Sequence, residues 1–444
     1  MKPIKHYFHI KLSWPTIYFV NSFSICFWWA LLNPGFFSSD SLGVIERVAN
    51  KELSSEWTFL WDLSVFVLSI GGIAPQLATL CLGLILVLTF TFFCQNTLPS
   101  NFAKVFSTVI ANSPIVASFG LTLWHDVPMT AGLFLFCGLL ARSERIGKRE
   151  VALFIAAFLL INTRFNGPWT VFLTLFSLLF LRQLTLLKFA ILLALLVFVS
   201  LPLSFANAAM ARFENGQSSG ITHWMKYDVS CFISKHSGIK SQPELNQIFE
   251  EEGLISDEFR SANSCNWFME SAKLDKWSSV GQKKLITIWS KIFIDNPLLI
   301  LGIHANRSEY LVPNPISLPS KPPFLHSNIE YANNFVKPWI PSIYEFARIP
   351  TRIWNAFGSF TAYAGLWWAF IILVSRRNSK LVGAALTSTI LNASIFVTAI
   401  IPDARYVAFT LIAGFLSLSY AFYLLWNNRI NLLDTFFGNR CSVK

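Results

Sequence analysis

Long apolar runs broken by short polar interruptions set the pattern of this chain. The runs are roughly 18–22 residues long, enough to cross a ~30 Å hydrocarbon core as a helix. They predict spans near 14–32, 73–94, 105–123, 127–141, 151–163, 167–181, 186–206, 353–375, 381–401 and 406–426. The first run lacks a small-residue cleavage site before Asn33-Pro34 and so reads as an uncleaved first span. The expectation is an all-α polytopic membrane protein of about ten transmembrane helices.

Composition agrees. Of 444 residues, 54% are hydrophobic and 13% charged, and the mean hydropathy is +0.50. A soluble chain carries about twice that charge. The basic residues fall in groups: Lys2, Lys5 and Lys11; Arg142, Arg145, Lys148 and Arg149; Arg182 and Lys188; Arg376, Arg377 and Lys380; Arg429, Arg440 and Lys444. Threading the spans puts every group on one side, which the positive-inside rule makes cytoplasmic, with both termini there. The net charge of +11 therefore reflects topology and gives no footing for nucleic acid.

Three parts follow: a transmembrane module over 1–206, a loop domain over 207–352, and a second transmembrane module with a tail over 353–444. At about 145 residues the loop is too long for a connector, and it predicts a small helical domain over the membrane face. Segment 33–62 is too polar for a plain turn; 54–70 reads as an interfacial helix with Trp57 and Trp61 at headgroup depth. Cys231 and Cys265 both fall in the large loop, as a disulfide or as two free thiols. In the same loop, Asp228 and His236 suit either an ordinary surface helix or acceptor recognition.

The short exterior turns carry the polar chemistry. The first loop presents Asp40, and the stretch "LWHDVP" presents His125 and Asp126. "NTRFNGPW" presents Arg164 and Asn166, and "IPDARYV" presents Asp403, Arg405 and Tyr406. Each has a bland reading: Asp40 ends a loop helix, Asp126 caps the span opened by Pro128, and Arg405 snorkels to headgroups. Together they describe an outward-facing polar cavity at the membrane boundary. A carboxylate there can act as general base or bind a divalent cation, while a guanidinium offers a planar fork to phosphate. That combination suits group transfer from a lipid phosphate.

In the order "PGFFSSDS", "HDVP", "TRFNG", large loop and "PDARY", the chain resembles the GT-C class of integral membrane glycosyltransferases. The resemblance implies transfer of a sugar from a polyprenyl-phosphate donor to a glycan, lipid or protein acceptor on the non-cytoplasmic face. By it Asp40 is the catalytic base or metal-associated carboxylate, with a divalent cation there among the expectations. Asp126 is a second catalytic carboxylate, Arg164 and Arg405 meet the donor phosphate, and Asn166, Asp403 and Tyr406 complete the polar site. Related sequences place Lys where this chain has His125. A neutral imidazole is a poorer phosphate partner, so acceptor contact or hydrogen bonding remains for it. A lipid or polysaccharide transporter predicts an internal repeat and midplane charges, neither of which is seen in the sequence. A glycan polymerase or ligase uses similar donors and stays a separate alternative.

Overall fold

The structure is a computed structural model that describes residues 12–33, 35, 37, 39–53, 58–142, 146–213, 220–235, 282–307, 379–398 and 408–426. The predicted span 353–375, Trp57, Cys265, His236, Asp403, Arg405 and Tyr406 lie outside the described residues.

The regular elements among these residues are helices: α1 (Trp14–Leu32), α2 (Ser39–Ala49), α3 (Phe59–Leu68), α4 (Pro75–Thr97), α5 (Ser100–Ala111), α6 (Pro114–Gly120), α7 (Asp126–Arg142), α8 (Lys148–Ile161) and α9 (Asn166–Phe180). They continue as α10 (Leu186–Phe213), α11 (Gly220–Lys235), α12 (Gln282–Asp295), α13 (Pro297–Arg307), α14 (Ser379–Thr398) and α15 (Ala408–Trp426). Within α1, α4, α10 and α14 run stretches long and apolar enough to cross a membrane. The chain is an integral membrane protein whose described regular elements are all helices.

Helix α7 is the centre of the bundle and is buried along nearly its whole length. Small residues let its neighbours approach. A Cβ on Gly132 would stand 2.8 Å from the Ala157 carbonyl oxygen of α8, and one on Gly138 would stand 2.9 Å from the Phe92 ring of α4. Aromatic side chains fill the remaining space, with Phe134 packed on Phe90, Phe93 and Phe409 and Phe136 on Phe154 and Phe158. Without a hydrophobic drive between spans, such close packing is what holds helices together in lipid.

Two expectations change. The predicted span 105–123 is two helices, α5 and α6, broken at Asn112-Ser113-Pro114. Proline has no N–H to continue the ladder, and Ser113 caps the new start by accepting from Val116 N at 3.3 Å. The freed Asn112 carbonyl accepts from Trp28 Nε1 at 3.2 Å, and the Asn112 side chain donates to Asn21, which donates in turn to Thr91. Broken backbone at membrane depth is tolerated where protein re-satisfies it in this way. The interfacial helix predicted over 54–70 is shorter, and Trp61 turns inward at 2% exposure instead of sitting among headgroups. The outer face of that element is carried by Phe66, Val67 and Ile70, all exposed.

The large loop contributes α11, α12 and α13, which pack on one another, and α11 and α13 also pack on α14, His304 of α13 reaching its C-terminal part. Asp228, buried in α11, accepts from Trp289 Nε1 at 2.8 Å, and His304 Nε2 stands 2.8 Å from the same oxygen. The other nitrogen of His304 lies 3.0 Å from the Phe396 carbonyl oxygen of α14. Cys231, also buried, is disulfide-bonded.

Candidate functional site

The site is built where three turns meet at one end of the bundle. The "LWHDVP" turn leads into α7: Asp126 is its first residue and Pro128 sits where its missing N–H costs nothing. Asp126 has no exposed surface, and its Oδ1 is ion-paired with Arg164 Nη1 from the turn between α8 and α9. His125 Nε2 lies 3.7 Å from the second Asp126 oxygen, and its ring meets the edge of Trp61 with centroids 6.2 Å apart.

Hydrogen bonds fasten these turns together. Thr163 Oγ1 reaches the His125 carbonyl at 3.1 Å, and Thr58 Oγ1 reaches the Thr163 carbonyl at 3.1 Å. Thr58 also caps α3, accepting from Trp61 N at 3.1 Å. Asn207 of α10 accepts from Phe59 N at the same helix start. Close to Arg164, Gly167 is required because a Cβ there would lie 2.2 Å from the Ile161 carbonyl oxygen.

The first loop lays α2 across this end. Gly35, at φ +99°, passes so near Leu121 that a Cβ would stand 2.7 Å from its carbonyl oxygen. Ser41 donates to the Leu123 carbonyl at 2.7 Å, bringing the start of α2 against the turn that holds His125 and Asp126. Asp40, half-buried in the first turn of α2, stands beside that contact. Asp40, Gly43 and Arg47 share one face of the helix by their i, i+3, i+7 spacing. The Arg47 guanidinium folds back over Gly43, where a Cβ would lie 3.7 Å from Nη1, and its Nε is 3.5 Å from buried Asp62 of α3.

Of the residues singled out in the sequence, Asp126, Arg164 and His125 are in one cluster and Asp40 is on the helix packed against it. Asn166 opens α9 and donates to Ser394 of α14 at 3.3 Å, tying the arginine turn to that span. Arg47, Asp62, Trp61 and Thr163 were missed. The sequence reading sets Trp61 at headgroup depth and Asp62 at the end of a polar loop, and the i+7 spacing of Arg47 from Asp40 is the one signal the sequence offers for that residue. Among the described residues no three of His, Cys, Asp and Glu gather closely enough to hold a metal ion.

No family model matches the chain. No curated protein matches it either. Among solved structures, ArnT from Cupriavidus metallidurans bound to undecaprenyl phosphate is similar over 92% of this chain and 78% of its own. The identity is 13% and the TM-score 0.36.

Proposed function

We propose that this chain is a membrane glycosyltransferase of the GT-C type. It moves a sugar from a polyprenyl-phosphate donor to a lipid, glycan or protein acceptor on the non-cytoplasmic face of the membrane. The observation that carries the reading is the convergence of α2, with Asp40, on the turn where Asp126 and Arg164 are paired. The ordered motifs from "PGFFSSDS" to "PDARY" support it.

In this reading Asp40, the half-buried acid, takes the proton of the acceptor as its oxygen or nitrogen attacks the anomeric carbon. The bond from that carbon to the phosphate oxygen breaks, and the lipid phosphate leaves with the electron pair. Arg164, and Arg405 from the last turn, meet the charge that develops there. Buried Asp126 is already neutralised by Arg164, so it orients the guanidinium for phosphate in preference to accepting a proton itself. His125, Asn166, Asp403 and Tyr406 shape the acceptor side. A divalent cation at Asp40 belongs to the same proposal, tested by chelation and by adding back magnesium or manganese.

The decisive experiment is transfer by purified Asp40→Asn protein at saturating donor. As general base, Asp40 predicts a fall of at least ~10²-fold with folding intact. Turnover near that of the unaltered protein overturns the assignment.

A further inference from the structure

The α12–α13 pair in the loop domain is apolar on two faces. One face is the domain's own core: Leu285, Ile288 and Ile292 on α12 and Ile300 and Ile303 on α13 are buried. The other face is bare. Ile294 is 74% exposed and Leu298 82%, with Leu301, Ile286 and Phe293 exposed around them. A surface helix that has buried one apolar stripe normally turns polar residues to water on the other side. A contiguous exposed apolar tip on a domain marks a surface with an occupant.

The position of the tip identifies the occupant. The two helices meet at a 106° corner at Asn296, and together they are apolar enough to pass as a broken span. Helix α13 is held to the C-terminal end of α14, itself a candidate span, through His304 and the Phe396 carbonyl oxygen. Leu298 stands six residues before His304, about 9 Å along the helix at ~1.5 Å per residue. The corner therefore lies close to the plane where α14 leaves the hydrocarbon. Asp295, exposed beside the corner, has to remain at water or headgroup level, which limits the depth to the upper part of one leaflet.

We infer that the α12–α13 corner is a monotopic anchor: Ile294, Leu298 and Leu301 insert into the lipid leaflet at the C-terminal end of α14. The anchor fixes the loop domain over the membrane on the candidate site's side of the bundle. It does not depend on which reaction the site performs.

The test is a nitroxide attached at Leu298→Cys, with Leu301→Cys as a second reporter, in the full chain reconstituted into phosphatidylcholine–phosphatidylglycerol nanodiscs. Lys284→Cys, exposed far back on α12, is the aqueous control. The signal of the unaltered chain's own labelled cysteines is subtracted. Labels at 298 and 301 are expected to collide several-fold more often with oxygen than with a water-soluble nickel chelate, and the label at 284 to show the reverse. Nickel collision at 298 and 301 equal to that at 284 would place the corner in water and overturn the inference. Exclusion of both reagents, in nanodiscs and in detergent alike, would show it covered by protein, which overturns it equally.

Discussion

A carboxylate with no exposed surface is tolerable at Asp126 because Arg164 neutralises it. Burial strengthens their attraction and equally raises the cost of leaving either alone. Asp126→Asn is expected to lose about 3 kcal/mol of stability, the lower end for breaking a buried pair from one side. Arg164→Gln should behave alike. The double substitution should recover much of that loss, because no unpaired charge remains, while the sugar transfer proposed for this site is expected to be lost in all three variants. Thermal unfolding of the three variants in detergent, read as a double-mutant cycle, checks this. Additive losses would show that the two residues do not act as a pair. Another buried ionisable group sits in the loop domain, where burial pushes the Lys226 ammonium below its ordinary 10.5. Between that lowered value and 10.5 the unfolded chain binds the proton that the folded domain has released. Stability should therefore rise with pH across this alkaline window. Lys226→Met should remove the rise, as measured by unfolding of the two proteins across the alkaline range.

Corners between helices, more than the helices themselves, decide where the candidate site forms. Gly167 lets α9 start hard against the Ile161 carbonyl of α8, and a backbone oxygen cannot rotate away from an added methyl. Gly167→Ala should cost about 3 kcal/mol, the upper range for overpacking, and displace Arg164 with it. Gly43→Ala meets only ordinary contact with Arg47 and should be neutral or gain up to about 1 kcal/mol of helix propensity. Unfolding midpoints that move oppositely in these two variants would separate the effects; equal shifts would remove the role given to Gly167. Such corners were only partly legible in the sequence. Apolar run length located α1, α4, α10 and α14, because one property repeated over a whole span outweighs local detail. The break at Ser113-Pro114 was hidden inside a run that stayed apolar through it. The inward turn of Trp61 depends on His125, 64 positions away in the chain by numbering. Motif order pointed to Asp40, Asp126 and Arg164, yet no local pattern disclosed that Arg47 folds back to Asp62.

Across the described residues, the basic helix ends and the candidate chemistry lie at opposite ends of the bundle. Antiparallel contacts set the direction of each helix. Tyr18 bonds Gln95 at one end of the α1–α4 pair, and Trp29 bonds the Gln76 carbonyl at the other. Asn166 meets Ser394, whereas Thr174 meets Thr387 farther down the α9–α14 pair. By this alternation the starts of α7 and α9 and the ends of α8, α10 and α14 share the site's end. Arg142, Lys148, Arg149, Arg182, Lys188 and Lys380 lie at the ends or starts of helices on the opposite side. Helix α15 begins beside the middle of α7, through Phe409 on Phe134. It descends to Phe102 near the start of α5, through Tyr420. It therefore leaves the bundle at the basic end, which the positive-inside rule assigns to the cytoplasm. A fluorescent reporter that matures only in the cytoplasm, fused after Lys444, is expected to glow. An alkaline phosphatase that works only outside, fused at the same point, should stay silent. The opposite pair of results would invert the molecule and place Asp40, Asp126 and Arg164 on the cytoplasmic face. There the donor expected for this site would have to present its sugar from the other leaflet.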